Sequence, residues 1–374
     1  REAADIDHVS VETKRAQIKS LCAKLGCAGQ TDLVRLAMSQ LVHLLLLSAT
    51  SGAGPHTAEI FARNHLPAEV RLTVHMLGQG RMLRTFECGP HGGRPAFVGH
   101  GMLFPMLLLN AAEHCQRLNL RIVVPLRSGY LDGQSPSALL HETDRERDLD
   151  DVAQFIRQHG GPVPIIGHSI GANWTLEFAH RHPGCVAQVI LLSPNFLDVS
   201  IPQSPFAGFV NSLRAMASRP GMLRSIAWQF RQQFLDRRII RQVLKRSCGE
   251  NRDDMAVLDG LLGAGPIYGW FEEGYRSSIV GIADDMDASS RDWRRQVRNC
   301  PRPVSMLASI FDPVAKVSAW HAAGDLENVN LVTLPVGGHF GIASHSAQFW
   351  EQLATMLEPG DGGSSMAQQT LQQQ

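Results

Sequence analysis

The feature that most constrains the fold is an alternation of short apolar runs and helical patterns along the middle of the chain. β-Branched and aliphatic residues predict strands at 69–76, 82–87, 95–99, 121–125, 163–167, 187–193, 303–308 and 329–334. Helical periodicity predicts helices at 106–117, 143–159, 170–182 and 345–357. Near-continuous apolar strands separated by helices are typical of a parallel sheet covered on both faces. The first two strands have no helix between them, so we expect them to form an antiparallel pair.

One long segment interrupts this alternation. Residues 197–298 lie between two predicted strands and contain helical runs at 207–217 and 222–247. A segment of this length is too long for a connecting loop in a compact domain. The sequence therefore predicts a helical cap over the ends of the strands, within an α/β domain that spans residues 67–357.

A nucleophile motif follows one of the predicted strands. Residues 163–167 lead into the G-x-S-x-G sequence of residues 167–171, and a helical pattern follows. Small residues two positions before and after the serine let the chain close a tight, strained turn that exposes the hydroxyl. The motif alone arises often by chance in a chain rich in Gly and Ser. The flanking strand and helix therefore carry the prediction that Ser169 is a nucleophile.

A serine nucleophile needs a general base, and the base needs an acid that orients it. Asp312 follows the predicted strand 303–308, and His339 lies in a Gly-rich loop after the strand 329–334. Both lie at the C-terminal ends of strands, where a doubly wound sheet gathers its ligand-binding groups. The sequence predicts the triad Ser169, Asp312 and His339. Asp198, which follows the predicted strand 187–193, is the rival candidate for the acid. The alternative for Asp312 is a structural role in a turn or as a helix cap.

An oxyanion hole for this chemistry needs two backbone N–H donors. One is the N–H of Ile170, directly after the nucleophile. The other is expected in the loop after the third strand, residues 99–102, where Met102 is the candidate donor. The two glycines of this loop permit the close approach that the geometry requires.

These residues together resemble the α/β-hydrolase superfamily over most of the chain. Residues 98–102, VGHGM, resemble the family's His-Gly oxyanion loop, and residues 124–135, VPLRSGYLDGQS, resemble its Pro-x-Arg-x-Gly segment with part of the glycine pattern replaced. The resemblance implies a serine hydrolase. Within this superfamily, the serine at the nucleophile position excludes branches with an aspartate nucleophile, such as haloalkane dehalogenases and most epoxide hydrolases. It leaves esterases, lactonases, thioesterases and C–C bond hydrolases open.

The cap sequence bears on the substrate. Its aromatic residues favour an apolar acyl or ring group and comprise Phe206, Phe209, Trp228, Phe230 and Phe234. No His/Asp/Glu cluster has metal-ligand spacing, so we expect no metal and no other cofactor.

The first 47 residues have a different, all-helical pattern, and a linker rich in Ser, Gly and Pro is predicted at 48–66. Ser10 is a plausible N-cap with Thr13 at the third helical position. An apolar stripe at helical spacing follows, formed by Ile18, Leu21, Cys22 and Leu25. The cap-like pair Thr31–Asp32 predicts a second helix at 31–46.

Residues 9–41 resemble the C-terminal half of a LuxR-type helix-turn-helix domain. The resemblance implies that the helix at 10–25 enters the DNA major groove and that the helix at 31–46 mediates homodimerisation of the protein. The implied DNA contacts are Thr13, Arg15, Lys19 and Lys24. Asp7 and Lys14 stand where the family usually has apolar residues, and the family's first helix is not in the sequence. The alternative is a small helical extension or dimerisation arm.

Composition sets further bounds. The 35 Lys and Arg residues balance the 35 Asp and Glu residues, so only a local basic patch could attract nucleic acid, and no membrane partner is expected. Seven scattered cysteines favour reduced thiols in the cytoplasm.

The apolar runs at 41–47 and 102–109 are too short to cross a bilayer. The polar residues 358–374 predict a disordered tail, and the helical start at Arg1 suggests a fragment of a longer protein.

Two functions from different classes remain open. In the first, a LuxR-like transcriptional regulator is fused to a serine hydrolase that turns over a small apolar acyl compound. In the second, the hydrolase-fold domain acts mainly as a small-molecule sensor with slow or no turnover. The intact triad favours the enzyme, and the fusion to a DNA-binding segment favours the sensor.

Overall fold

A computed structural model describes residues 10–25, 28–34, 56–78, 81–101, 106–131, 142–196, 251–262, 278–289, 292–322, 324–326 and 329–358. The chain divides into two compact units, Arg1–Gly54 and Pro55–Gln374. Several predictions fall outside the described residues. They concern the helical runs at 207–217 and 222–247, the five cap aromatics, the rival acid Asp198, the oxyanion donor Met102 and the tail after residue 358.

The larger unit contains a mixed eight-stranded sheet in the order β1-β2-β4-β3-β5-β6-β7-β8. The strands are β1 Arg71–Met76, β2 Met82–Cys88, β3 Arg94–Gly99, β4 Leu120–Pro125, β5 Val163–His168, β6 Val186–Leu192, β7 Val304–Ser309 and β8 Val329–Leu334. All eight predicted strands are confirmed, with ends that differ by at most two residues. The antiparallel start is also confirmed, because β2 runs antiparallel to both β1 and β4 and the remaining pairs are parallel.

Helix α1, Val11–Leu25, belongs to the smaller unit. The helices of the larger unit connect and cover these strands, and they are α2 His56–His65, α3 Ala111–Leu118, α4 Glu142–Gln158, α5 Gly171–Arg181, α6 Arg252–Leu262, α7 Ile279–Ala288, α8 Trp293–Arg298, α9 Val317–Ala322, α10 Gly341–Ser344 and α11 Ser346–Leu357. The predicted helix at 106–117 begins as a 3-10 turn, Met106–Asn110, before α3, and such turns are frequent at helix starts. Among the described residues, no helix has the length and apolar character needed to cross a membrane.

The core lies on both faces of the sheet. Along β4, the side chains of Ile122 and Val124 belong to one buried cluster, and the side chain of Val123 belongs to the other. β5 alternates in the same way between Ile166 and Ile165. Because successive side chains of a strand point to opposite faces, two apolar neighbours require cover on both sides. The near-continuous apolar runs therefore predicted the layering correctly.

Part of the segment that the sequence marked as a linker is helical. α2 occupies residues 56–65 of the predicted linker 48–66. Ala58 and Phe61 are fully buried, and the Phe61 ring lies 6.2 Å from that of Phe86 on β2. The spacing of these two residues, three positions apart, places both on the face of α2 that packs on the sheet. The packing of this face on the sheet stabilises a helix at 56–65, although the Ser, Gly and Pro residues before it predicted a linker.

The described part of the insertion between β6 and β7 is largely helical. It comprises α6, α7 and α8, and Asp292 caps α8 by accepting a hydrogen bond from the Arg295 N–H at 3.1 Å. These helices lie within residues 197–298, where the sequence predicts a helical cap.

The smaller unit contains α1. The Ser10 hydroxyl accepts a hydrogen bond from the Thr13 N–H at 3.1 Å, as predicted for an N-cap. Cys22 is buried, whereas Leu21 is 45% exposed, so the apolar stripe of α1 is only partly covered. A second helical segment begins at Gln30, one residue before the predicted start, and its described part ends at residue 34.

Candidate active site

Ser169 occupies a strained turn between β5 and α5. Its φ of +53° lies in the left-handed region, which residues with a side chain rarely adopt. The turn is so tight that a Cβ on Gly171 would overlap the carbonyl oxygen of Gly99. A Cβ on Gly167 would overlap the Cα of Ala172 in α5. Both glycines of the motif are therefore required by close backbone approach, which is the physical reason for the spacing found in the sequence.

The structure brings the three predicted triad residues together. Ser169 Oγ lies 2.9 Å from His339 Nε2, and His339 Nδ1 lies 3.1 Å from Asp312 Oδ2. The three residues follow β5, β7 and β8, so their loops open at the same edge of the sheet. The other carboxylate oxygen of Asp312 accepts hydrogen bonds from the N–H groups of Val314 and Ala315, both at 2.8 Å. These bonds fix the carboxylate in the orientation in which it faces the imidazole.

The electrostatics of the triad favour a basic imidazole. Burial alone would lower the pKa of His339, but the Asp312 carboxylate and its hydrogen bond outweigh this effect and raise the pKa above its ordinary value. His168, next to the nucleophile, behaves in the opposite way. Burial, followed by the repulsion from His339, lowers the pKa of His168 to about 3. At neutral pH, His168 is therefore uncharged, and His339 is the histidine of the pair suited to accept a proton.

The predicted oxyanion hole lies only partly within the described residues. Ile170 is the residue that precedes the first turn of α5, next to Ser169. The loop after β3 approaches Ser169, because a Cβ on Gly101 would lie 3.0 Å from the Cβ of Ser169. The structure therefore places the start of the predicted oxyanion loop next to the predicted nucleophile, and Met102 itself lies outside the described residues.

A buried charged network contacts the predicted oxyanion loop at His100, and the sequence did not predict this network. Arg127 donates two hydrogen bonds to the Asp285 carboxylate, at 2.7 and 2.8 Å, and a third to the His100 carbonyl at 3.0 Å. The Tyr130 hydroxyl donates to the same carboxylate at 2.6 Å, and Arg145 adds a bond at 3.1 Å. The network connects the predicted oxyanion loop to α7 of the insertion. Its one sequence signal was the arginine of the Pro-x-Arg-x-Gly segment.

Replacing Arg127 with methionine is expected to lower the free energy of unfolding by about 3 kcal/mol or more, because removal of one partner leaves a buried carboxylate poorly compensated. Chemical denaturation measures this change. The matched control is Arg181→Met, since Arg181 also pairs with carboxylates, those of Asp150 and Glu146, but is exposed. An exposed pair contributes at most about 1 kcal/mol. Equal losses in the two variants would contradict the structural importance of the Arg127 network.

The four side chains predicted to contact DNA are exposed on α1 but do not share one face. Arg15 and Lys19 are one turn apart on the same side of the helix. At about 100° per residue, Thr13 and Lys24 lie together on nearly the opposite side. Among the residues that the structure describes, no group of three or more His, Cys, Asp or Glu side chains is arranged to hold a metal ion.

Comparison with known proteins identifies the fold. A family model described as "Serine aminopeptidase, S33" matches residues 132–236, which include the nucleophile turn. The chain is 26% identical, over 287 residues that cover 74% of it and 67% of the relative, to the dihydrolipoyllysine-residue acetyltransferase component of the acetoin cleaving system of Pseudomonas putida.

Solved structures point to the same fold. A thermophilic esterase from Thermogutta terrifontis is 18% identical with a TM-score of 0.51, covering 77% of this chain and 98% of the esterase. A laboratory-evolved variant of a potato epoxide hydrolase is 14% identical with a TM-score of 0.56, covering 77% of this chain and 99% of that protein. The chain therefore has the α/β-hydrolase fold, with Ser, His and Asp side chains in hydrogen-bond contact at the carboxyl ends of its strands.

Proposed function

We propose that this serine hydrolase, built on the α/β-hydrolase fold, cleaves a small apolar acyl compound, such as an ester or a lactone, by acyl transfer to Ser169. The observation that carries the proposal is the continuous contact from Ser169 Oγ to the His339 imidazole and from the imidazole to the Asp312 carboxylate. A hydroxyl bonded to an oriented imidazole is the arrangement by which a serine becomes a nucleophile at neutral pH.

The proposed reaction has two halves. In the first, Ser169 Oγ attacks the acyl carbon while His339 Nε2 accepts the hydroxyl proton, and the N–H groups of Ile170 and Met102 stabilise the oxyanion. The tetrahedral intermediate collapses as the imidazolium returns the proton to the leaving alkoxide. In the second half, a water molecule gives a proton to His339 and attacks the acyl carbon of the acyl-enzyme. The bond to Ser169 Oγ then breaks, and the imidazolium returns the proton to Oγ, which releases the carboxylic acid and restores the Ser169 hydroxyl. Asp312 stabilises the imidazolium in both halves.

A fluorophosphonate probe and a panel of p-nitrophenyl esters and lactones test this proposal. We expect stoichiometric covalent labelling and hydrolysis of esters with apolar acyl groups. Activity should fall at low pH, because protonation of His339 removes the base. A folded protein that neither reacts with the probe nor hydrolyses any member of the panel would count against the enzyme and favour the sensor.

We further propose that the smaller unit binds DNA as part of a transcriptional regulator, with helix-turn-helix dimerisation through residues 31–46. The supporting observation is the pair of exposed cations Arg15 and Lys19, one turn apart on α1. A cation pair at this spacing can neutralise adjacent phosphates of a duplex.

Lys19→Ala is expected to weaken DNA binding of the full-length protein and to lower the slope of log affinity against log salt by about one unit, because one phosphate contact is lost. Fluorescence anisotropy at several salt concentrations measures both quantities. Arg298→Ala removes an equal charge from an exposed position in the larger unit and serves as the control. A salt slope that is unchanged in Lys19→Ala would remove α1 from the DNA interface.

The sensor alternative has its own test. A ligand can change DNA affinity only if it binds two states of the protein with different affinity, and the coupling must be reciprocal. DNA titrations and sedimentation of Ser169→Ala, with and without a slowly hydrolysed ligand, measure this coupling. Identical DNA affinity and oligomeric state in both conditions would exclude sensing.

A further inference from the structure

We propose that the first turn of α6 acts as a clamp on the two loops that carry the acid and the base, and that Asp254 is the positioning residue of this clamp. The inference rests on the proposed function, in which His339 is the general base. The clamp consists of Asn251 and Asp254, which approach the triad from the insertion between β6 and β7.

Asp254 holds the backbone of the base loop. Its two carboxylate oxygens accept hydrogen bonds from the N–H groups of His339 and Phe340, both at 2.8 Å. The side chain is fully buried, and it lies so close to the loop that a Cβ on Gly338 would overlap the carboxylate. Two consecutive backbone donors on one carboxylate fix both the position and the tilt of the loop, so the imidazole starts from a defined place.

Asn251 joins the base loop to the acid loop. Its side-chain oxygen accepts hydrogen bonds from the N–H groups of Asp253 and Asp254, both at 3.0 Å, and so caps α6. Its side-chain NH₂ donates to the carbonyl oxygens of Phe311 at 3.3 Å and Gly337 at 3.2 Å. Phe311 directly precedes the acid Asp312, and Gly337 lies two residues before His339. One helical turn therefore contacts both loops.

The clamp also adds a charge next to the base. The groups that face His339 are the carboxylates of Asp312 and Asp254 and the neutral imidazole of His168. Both carboxylates raise the pKa of His339, with Asp312 the stronger. Burial raises the pKa of Asp254 itself, although its two backbone hydrogen bonds oppose this effect. Loss of the Asp254 charge should therefore lower the pKa of His339 and leave Asp312 in contact with it.

Asp254→Asn tests the clamp. The amide retains one acceptor but points its NH₂ group at the second backbone N–H, so the base loop must move. A displacement of about 1 Å at a catalytic group can cost on the order of 100-fold in rate. We expect kcat on a p-nitrophenyl ester to fall about 10- to 100-fold with little change in KM, and the acid limb of the pH profile to move to lower pH.

The chain offers a matched control in the adjacent residue. Asp253 belongs to the same turn of α6, its side chain is 44% exposed, and its nearest ionic partner is His345 at 3.7 Å. Asp253→Asn removes the same charge without touching the base loop, and we expect kcat and the pH profile to match those of the wild type. Equal effects of the two substitutions on kcat and on the pH profile would overturn the proposal that Asp254 positions the base loop, because the loss of one negative charge near His339 would then explain both.

A second readout needs no turnover. NMR titration of the His339 imidazole is expected to give a lower pKa in Asp254→Asn than in the wild type and Asp253→Asn. A protein without hydrolase activity would contradict the proposed function, yet this titration would still test the clamp. An unchanged titration together with unchanged kcat, even in a less stable protein, would reduce Asp254 to a structural residue and overturn the proposal.

Asp254→Glu covers the case in which the asparagine variant does not fold. The glutamate keeps the charge and carries the carboxylate one methylene group farther from α6. We expect kcat to fall while the pKa of His339 stays raised. A rate equal to that of the wild type would show that the two backbone bonds do not position the base, and it would overturn the proposal.

Discussion

Replacing Ser169 with alanine is expected to lower kcat by on the order of 10⁶-fold, because the atom that attacks the acyl carbon is lost. Covalent labelling by a fluorophosphonate should disappear in the same variant. The fold should remain, since the buried glycines around the turn are unchanged and the hydroxyl makes one hydrogen bond within the described ranges, to His339 at 2.9 Å. Intact-mass spectrometry after labelling measures the first effect, and denaturant unfolding checks the fold.

The control for this variant removes the hydroxyl of a serine that lies in the sheet itself. Ser305 lies on β7, where its hydroxyl accepts a weak hydrogen bond from the Asn330 side chain at 3.4 Å. Ser305→Ala should be labelled like the wild type. Labelling of Ser169→Ala to the level of the wild type would place the nucleophile elsewhere in the chain and would remove the basis of the proposed reaction.

The sequence predicted the sheet, and the contact of Ser169, His339 and Asp312, because both follow from local patterns. A short apolar run rich in β-branched residues and bounded by turn residues favours a strand. The glycines two residues before and after Ser169 indicate that other backbone passes within contact distance. Asp312 and His339 followed from their positions directly after predicted strands. In a parallel sheet, residues at the strand ends come together even when the chain separates them, as it does Ser169 and His339 by 170 positions.

The remaining site features depend on contacts that no local pattern encodes. Arg127 and Asp285 are 158 positions apart, and Asp285 lies on a helix whose sequence does not distinguish a buried carboxylate from an exposed one. The role proposed for Asp254 was equally hard to predict, because the sequence indicates only that Asn251 caps a helix and that Asp254 lies in its first turn. What makes them functional candidates is the surface on which α6 packs, and this surface is known only once the chain has folded.

The smaller unit illustrates a different limit. Ser10 was correctly predicted as the N-cap because capping involves residues only three positions apart. The positions of Thr13, Arg15, Lys19 and Lys24 on two sides of α1 also follow from helical geometry alone. Their function depends on a partner, however, and sequence spacing by itself does not choose between a DNA interface and a solvated helix.

Asp312→Asn is expected to lower kcat at neutral pH by about 10⁴-fold, because the asparagine would hold His339 in the wrong tautomer. The structure fixes the orientation of the new side chain. Asp312 Oδ1 accepts hydrogen bonds from the N–H groups of Val314 and Ala315, both at 2.8 Å, so the amide oxygen of the asparagine must take this place. The NH₂ group then occupies the position of Oδ2, which lies 3.1 Å from His339 Nδ1.

The amide oxygen would lie 3.3 Å from Nδ1, at the place of Oδ1, but it already accepts from two backbone N–H groups. The closer amide donor therefore favours Nδ1 as the acceptor, and the imidazole proton then sits on Nε2, facing Ser169 Oγ. A protonated Nε2 cannot take the hydroxyl proton, so the nucleophile stays inactive although every contact distance is preserved. Steady-state kinetics with a p-nitrophenyl ester measures the loss, and unchanged denaturant unfolding would attribute it to the tautomer. Asp198→Asn, the same change in the rival acid, should have little effect. A larger loss in Asp198→Asn than in Asp312→Asn would assign the orienting role to Asp198 instead.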